Sequence, residues 1–144
     1  MTEIAFHFNV PDKLQYSCRL LRKAWTGGSK VVVTGEPEVL AALDQLLWQF
    51  SPTEFIPHCL ADAPESQRAV TPVWLAPSPS GCPHDSVLVN LGSQVPTEFE
   101  RFERFIEVVS QQDEDRLAGR SRWKHYADRG YALKRHDLAA GQGA

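Results

Sequence analysis

The sequence has no apolar run near the roughly 18 residues that a membrane span requires. Its first residues, Met-Thr-Glu-Ile, lack the basic start and the apolar stretch of a signal peptide. Cysteine is scarce as well: Cys18, Cys59 and Cys82 are widely spaced and odd in number, which argues against a disulfide framework. We therefore expect a protein of the reducing cytoplasm that does not enter membranes.

The usual fingerprints of catalysis and cofactor binding are missing too. No G-x-G-x-x-G follows an early strand, no G-x-S-x-G elbow occurs, and the segment 27–30 (GGSK) precedes its strand and lacks phosphate-loop spacing. The pairs His58-Cys59 and Cys82-Pro-His84 offer four metal ligands, but no C-x-x-C pair accompanies them. We expect no catalytic residue, no cofactor and no metal, which favours a binding module.

What the sequence does contain is the alternation of strands and helices that is typical of an α/β domain. Its 144 residues, 42% hydrophobic and 23% charged, suit one soluble domain, which we place at 1–138 with a frayed tail at 139–144. The periodicities predict strands over 3–10, 30–34, 72–76 and 86–91, and helices over 12–26, 38–50, 97–109 and from 113–115 to about Gly130. Segment 61–69 is expected to be a loop. This order predicts a three-layer α/β fold with a mostly parallel sheet.

The predicted helix 97–109 depends on spacings of three and four residues. Phe99, Phe102, Ile106 and Val109 would face inward, and charged residues such as Glu107 would face solvent.

The predicted helix 38–50 carries an aromatic residue away from its apolar stripe. Trp48 lies on the side of Asp44, and Phe55 and Pro57 follow within a few residues. Two interpretations stay open: the downstream loop folds back over Trp48, or an exposed aromatic patch docks a protein partner.

The strongest charge feature is a basic C-terminal segment. Residues 116–136 hold seven Lys/Arg and one Asp, against eight Lys/Arg and seventeen Asp/Glu elsewhere. Arg120, Trp123 and Lys124 stand at i, i+3 and i+4, with Arg116 one turn before. This face could receive carboxylates and an apolar side chain, could stack a base and hold phosphates, or could be a solvated helix with Trp123 packed inward.

Several strings, in order over residues 4–138, resemble the chi subunit of bacterial DNA polymerase III. The most specific are the block from Leu43-Asp-x-x-Leu-Trp48 to Phe55-Ile-Pro-His58 and the block Arg120-x-Arg-Trp-Lys-x-Tyr126 ending at Gly130. The others are the early Phe6, Cys18-x-Leu20 with Lys23-Ala-Trp25, the strand entry Gly28-x-x-Val31, Pro72-Val73, Val87-Leu-Val-Asn-Leu91 and Phe102-x-x-x-Ile-Glu-Val-Val109.

The resemblance implies a Rossmann-like α/β/α fold without a nucleotide site, in a non-catalytic accessory subunit of the replicase clamp loader. It implies two protein partners: the psi subunit, and the acidic C-terminal tail of single-stranded DNA-binding protein, which ends in a Pro-Phe type tip. Carried over by position, the psi-facing residues are Trp48, Phe55, Pro57 and His58, and the tail-binding residues are Arg116, Arg120, Trp123 and Lys124. It also implies that a helicase can occupy the psi face, and that the protein reaches the bacterial nucleoid through the replisome.

The sequence departs from the family in segment 110–114 (SQQDE), which is shorter and more polar than in relatives. In relatives an apolar residue of this segment helps to form the pocket for the acidic tail, so the resemblance does not say which residue forms that apolar wall here. Arg122 is a further cation that could attract the acidic tail.

Two alternatives remain: direct binding of single-stranded nucleic acid by the basic helix, and a small α/β enzyme, for which His7, Asn9 and Asn90 are the only polar candidates.

Overall fold

The computed structural model describes residues 2–49, 56–60, 63–68 and 71–139. The strands there are β1 (Glu3–Val10), β2 (Val31–Thr34), β3 (His58–Leu60), β4 (Val73–Leu75), β5 (Val87–Asn90), β6 (Arg104–Ser110) and β7 (Leu133–Asp137). The helices are α1 (Lys13–Thr26), α2 (Pro37–Gln49), α3 (Glu65–Arg68) and α4 (Asp113–Asp128), with a 3-10 helix at Phe99–Arg101. Residues 140–144, most of the tail expected to fray, lie outside the described residues.

The strands form one sheet in the order β3-β4-β2-β5-β6-β1-β7, and every pairing among them is parallel. Buried residues of α1 and α2 pack in one core on one face of the sheet, and those of α4 pack in a second core on the other face. This arrangement confirms the predicted three-layer α/β fold, because a parallel sheet needs helices to cover both of its faces.

The run Val31-Val-Val33 shows how the sequence specifies a central strand. Val31 and Val33 belong to the core under α1 and α2, whereas Val32 belongs to the core under α4. All three are fully buried, since β2 has a strand on either side and a helical layer on either face. The predictions of strands at 30–34, 72–76 and 86–91 are likewise confirmed by β2, β4 and β5.

The helix predicted over 97–109 is wrong. A 3-10 helix covers Phe99–Arg101, and residues 104–110 form β6, which lies between β5 and β1. Because β6 is covered on both faces, it carries apolar residues on each: Ile106 and Val108 on one, Phe105 and Val109 on the other. Apolar residues on both faces also stand three and four apart, which imitates a helical stripe. Glu107, expected in solvent, is fully buried.

Two strands and a short helix were missed, since they carry little hydrophobic pattern. Strands β3 and β7 are the two edges of the sheet, and β7 has the sequence LKRHD, with its three middle residues exposed. Charged side chains suit an edge strand, because they discourage pairing with another chain. Helix α3 lies in the predicted loop 61–69 and is only four residues long.

The N-terminal helix begins and ends at the predicted signals. The Asp12 carboxylate accepts the N–H of Gln15 at 3.1 Å and caps α1, and Gly27 follows its last residue. Among the helices in the described part of the chain, none has the length and apolarity needed to cross a membrane.

Candidate functional site

An open cleft of about 360 Å³ lies between α4 and strands β1, β6 and β7. Its lining combines apolar rings and aliphatic groups with arginines, and it consists of Phe6, Phe8, Asn9, Val109, Arg116, Gly119, Arg120, Trp123 and Arg135. A water-accessible apolar surface bordered by guanidinium groups can take an apolar side chain and carboxylates together.

Helix α4 directs one stripe of side chains into the cleft. Arg116, Arg120 and Trp123 follow a spacing of four and three residues, so they share the face of α4 that borders the cleft. Of the three residues predicted to project together, this face includes Arg120 and Trp123 but not Lys124. Lys124 is exposed and is not among the lining residues, because one step along a helix turns about 100° away from Trp123. Its role in binding stays a prediction.

The indole of Trp123 is half-buried, so it contributes both to the core and to the cleft. The edge of one ring meets the face of the other in its contact with Phe6, with 5.0 Å between the ring centroids. The interpretation of a solvated helix with Trp123 packed inward is therefore met in part, since the indole packs against the core without being fully buried. Phe6, Phe8 and Val109 form the apolar part of the cleft beside the indole.

Gly119 lets α4 approach the sheet closely. A Cβ atom at this position would lie 3.0 Å and 3.1 Å from the two methyl carbons of Val109 on β6. Gly119 and Val109 both line the cleft, so the depth of the apolar floor depends on this contact.

Arg122 is buried, and the expectation that it attracts an acidic partner is wrong. Its Nε donates to both carboxylate oxygens of Glu107 at 3.0 Å, and its Nη1 donates to the Ser93 carbonyl at 3.1 Å. Tyr126 Oη donates to the same carboxylate at 2.6 Å, and Asn90 Nδ2 at 3.0 Å. This network joins α4 to β5 and β6 beneath the cleft.

Burial raises the pKa of Glu107, while Arg122 and the hydrogen bonds from Tyr126 and Asn90 oppose the rise. Burial and the nearby Glu107 carboxylate raise the pKa of the Tyr126 phenol, which therefore stays a donor. The charge pair links α4 to β6, which both contribute residues to the cleft.

A histidine cluster occupies the other face of β1. His7 Nδ1 is hydrogen-bonded to the Tyr16 hydroxyl, and its ring lies 4.6 Å from the ring of His136, its cross-strand partner on β7. Burial, and then the charge of His136, lower the pKa of His7 to about 4. His7 is therefore neutral in the folded protein near pH 7.

The second predicted surface lies on α2, on the opposite face of the sheet from α4. Trp48 is 57% exposed, with its ring centroid 5.2 Å from that of His58. His58 is buried; its Nδ1–H donates to the Ile56 carbonyl at 2.7 Å, and its Nε2 lies 3.2 Å from a carboxylate oxygen of Asp44. Pro57 is partly buried, and Phe55 lies outside the described residues.

A family model described as "DNA polymerase III chi subunit, HolC" matches residues 1–134. The chain belongs to this chi family. The match confirms the resemblance and makes the chain a chi-type subunit of DNA polymerase III, a replication protein.

Full-length similarity to curated chi proteins agrees with this membership. A DNA polymerase III subunit chi of Pseudomonas aeruginosa is 35% identical over 144 residues, which cover 96% of this chain and 98% of that protein. The chi subunit of Haemophilus influenzae is 29% identical over 128 residues, 86% of each chain. That of Escherichia coli is 28% identical over 121 residues, 83% of this chain and 81% of that protein.

The sequence of this chi-family chain predicts the helical side of the cleft but not its strand side. Phe6 and Phe8 line the cleft from β1. The alternation of apolar and polar residues predicted this strand, but nothing in the sequence placed it next to α4. Arg135 lies on β7, a strand that was not predicted. Its nearness to Trp123 arises only when β7 pairs with β1.

Proposed function

We propose that this chain is a non-catalytic adaptor of the bacterial replisome. It links the clamp loader, through the psi subunit, to the acidic C-terminal tail of single-stranded DNA-binding protein. The observation that carries the proposal is the cleft beside α4, where an apolar floor is bordered by Arg116 and Arg120 and by the half-exposed indole of Trp123.

The charge distribution of the cleft suits an acidic peptide end. An aromatic side chain at the tip of the tail would settle on Phe6, Phe8 and Trp123, and its carboxylates would meet Arg120 and Arg116, with Lys124 exposed beside them. Arginine binds carboxylates in a bidentate manner, which gives direction as well as attraction. Because the cleft is open to water, affinity should be modest and should fall as salt rises.

Titration of a labelled tail peptide tests this site. Trp123→Ala and Arg120→Ala should each weaken binding about tenfold or more, because each removes a central anchor of a small interface. Unchanged affinity in both variants would remove the cleft from consideration. Thermal unfolding of the variants should show that they remain folded.

The psi-binding surface is proposed to include the exposed Trp48 and the partly buried Pro57, with the buried ring of His58 supporting Trp48 from below. Phe55, which the resemblance also assigns to this surface, belongs to the proposal by its position in the sequence alone. In its favour, α2 packs next to β3 at one edge of the sheet, whereas α4 packs next to β7 at the other edge and on the opposite face. Two partners could therefore bind at once. A helicase could take the psi face in its place.

The two surfaces can be tested against each other. Trp48→Ala or Phe55→Ala should abolish co-purification with psi and leave peptide affinity unchanged, whereas Trp123→Ala should do the reverse. A complex of psi with both Trp48→Ala and Phe55→Ala proteins would refute the assignment of the psi face.

The alternative, direct binding of single-stranded nucleic acid, is favoured by the basic charge of segment 116–136. The net charge of the whole chain is −3, so long-range attraction for a polyanion is weak. A gel shift with single-stranded DNA distinguishes the two functions. The adaptor function requires that DNA is retained only when single-stranded DNA-binding protein is present.

A further inference from the structure

We propose that Arg135, on edge strand β7, is a carboxylate-binding residue of the cleft and acts from the strand side while Arg116 and Arg120 act from α4. This inference rests on the proposed function, because it assigns a further contact to the same acidic peptide end. It concerns a residue outside the basic helix, in a strand that sequence patterns did not predict.

The strand register places Arg135 on the cleft side of the sheet. Arg135 is the cross-strand neighbour of Phe6, and both line the cleft. Side chains alternate along a strand, so the neighbours of Arg135 face the other way. His136 accordingly stacks near His7 on the α1 side, and Lys134 pairs with Glu3 at 3.7 Å.

Two aromatic rings hold the guanidinium group in place. Its central carbon lies 5.3 Å from the ring centroid of Phe8 and 6.0 Å from that of Trp123, which are distances of cation–π contacts. Arg135 is exposed, and within the part of the chain that the structure describes it forms no ion pair. Its charge also acts electrostatically on Asp137, two residues along β7, but no carboxylate of the described residues lies within ion-pair distance of it. The guanidinium group is therefore positioned by the floor of the cleft and open to a ligand.

This geometry suits a carboxylate that is attached to an apolar residue. A peptide whose aromatic side chain packs against Phe8 and Trp123 brings its own carboxylates close to the group that lies over those rings. A planar guanidinium stacked on an aromatic ring still presents its N–H edge to a carboxylate. A flexible ammonium would not be held in this way.

The test uses the full chain and a fluorescent peptide, Asp-Asp-Asp-Pro-Phe with a free C-terminus, in low salt. Arg135→Gln should weaken binding about tenfold, and Arg135→Lys should recover only part of the loss, because it restores the charge without the planar group. The matched control is Lys134→Gln, which removes one charge from the same strand on the opposite face and should change affinity by less than about twofold.

A second peptide shows whether Arg135 contacts the carboxylates of the ligand or only keeps the aromatic rings of the cleft in position. In Asn-Asn-Asn-Pro-Phe-amide the carboxylates are absent, so Arg135→Gln should no longer weaken whatever binding remains. An equal loss with both peptides would overturn the inference, since Arg135 would then act only by shaping the floor.

The outcomes also distinguish the inference from the proposed function. If Arg135→Gln leaves affinity for the acidic peptide within about twofold while Arg120→Ala and Trp123→Ala reduce it, Arg135 is not a binding residue and the peptide site stands. If none of the three variants reduces affinity, both are wrong. Thermal unfolding of the Arg135 variants should match that of the unmodified chain, because the side chain is exposed.

Discussion

The buried pair of Glu107 and Arg122 allows a quantitative test of how α4 is held on the sheet. We expect Arg122→Met to destabilise the protein by about 3–5 kcal/mol, because it leaves the fully buried Glu107 without its counter-charge. An unfolding entropy of about 0.3 kcal/mol per kelvin for a chain of this length converts this loss into a fall in Tm of roughly 10–17 °C.

The double variant isolates the charge from the lost packing. Glu107→Gln in the Arg122→Met background should restore roughly 2 kcal/mol or more, since a neutral amide can still accept from Tyr126 and leaves no unpaired buried charge. Urea unfolding at pH 7 measures both variants.

The pH dependence provides an independent check. Burial raises the pKa of Glu107, and Arg122→Met removes the opposing attraction, so the folded carboxyl in that variant binds its proton more tightly than the unfolded one. By linkage, the stability of Arg122→Met should fall as pH rises from about 5 to 8, and the double variant should lack this slope. The reasoning is refuted if Arg122→Met loses less than about 1 kcal/mol, or if the double variant is equally unstable.

Three further predictions concern other parts of the molecule. Gly119→Ala should weaken binding of the acidic peptide and lower the Tm, because its new methyl group would meet the methyl carbons of Val109 at 3.0–3.1 Å; an unchanged Tm and affinity would show that α4 moves aside at no cost. The contribution of neutral His7 to stability should be present above about pH 6.5 and be lost as pH falls towards about 4, because the unfolded chain binds a proton there that the folded chain does not. His7→Gln should flatten this part of the pH–stability curve. An unaltered curve would contradict the lowered pKa of His7. Trp48→Ala should cost less than about 1 kcal/mol in urea unfolding, against about 2–5 kcal/mol for the fully buried Leu43→Ala in the same helix; comparable losses would place Trp48 in the core.

A segment could be predicted from the sequence when its residues follow a regular spacing that is typical of one kind of secondary structure. Burial of one face imposes the regular spacing seen in helix α1, which follows its Asp12 cap, and in the stripe of Arg120 and Trp123 on α4. Burial on both faces imposes the short apolar run of strand β2. Strand β6 failed this test, because burial on both faces removes the alternation and leaves apolar residues at helical spacings as well.

The sequence by itself determined the class of fold, the family and the cationic face of α4, since these depend on local periodicity and on which residues follow one another. Only the tertiary structure decided which arginines point to solvent. Arg122 is adjacent to Trp123 in the sequence, yet it forms an ion pair with the buried carboxylate of Glu107 on β6. Arg135, in contrast, lies on the edge strand β7 and contacts the ring of Trp123. The physical reason is that a helix distributes consecutive side chains around its axis, and parallel pairing brings together strands that are distant in the chain.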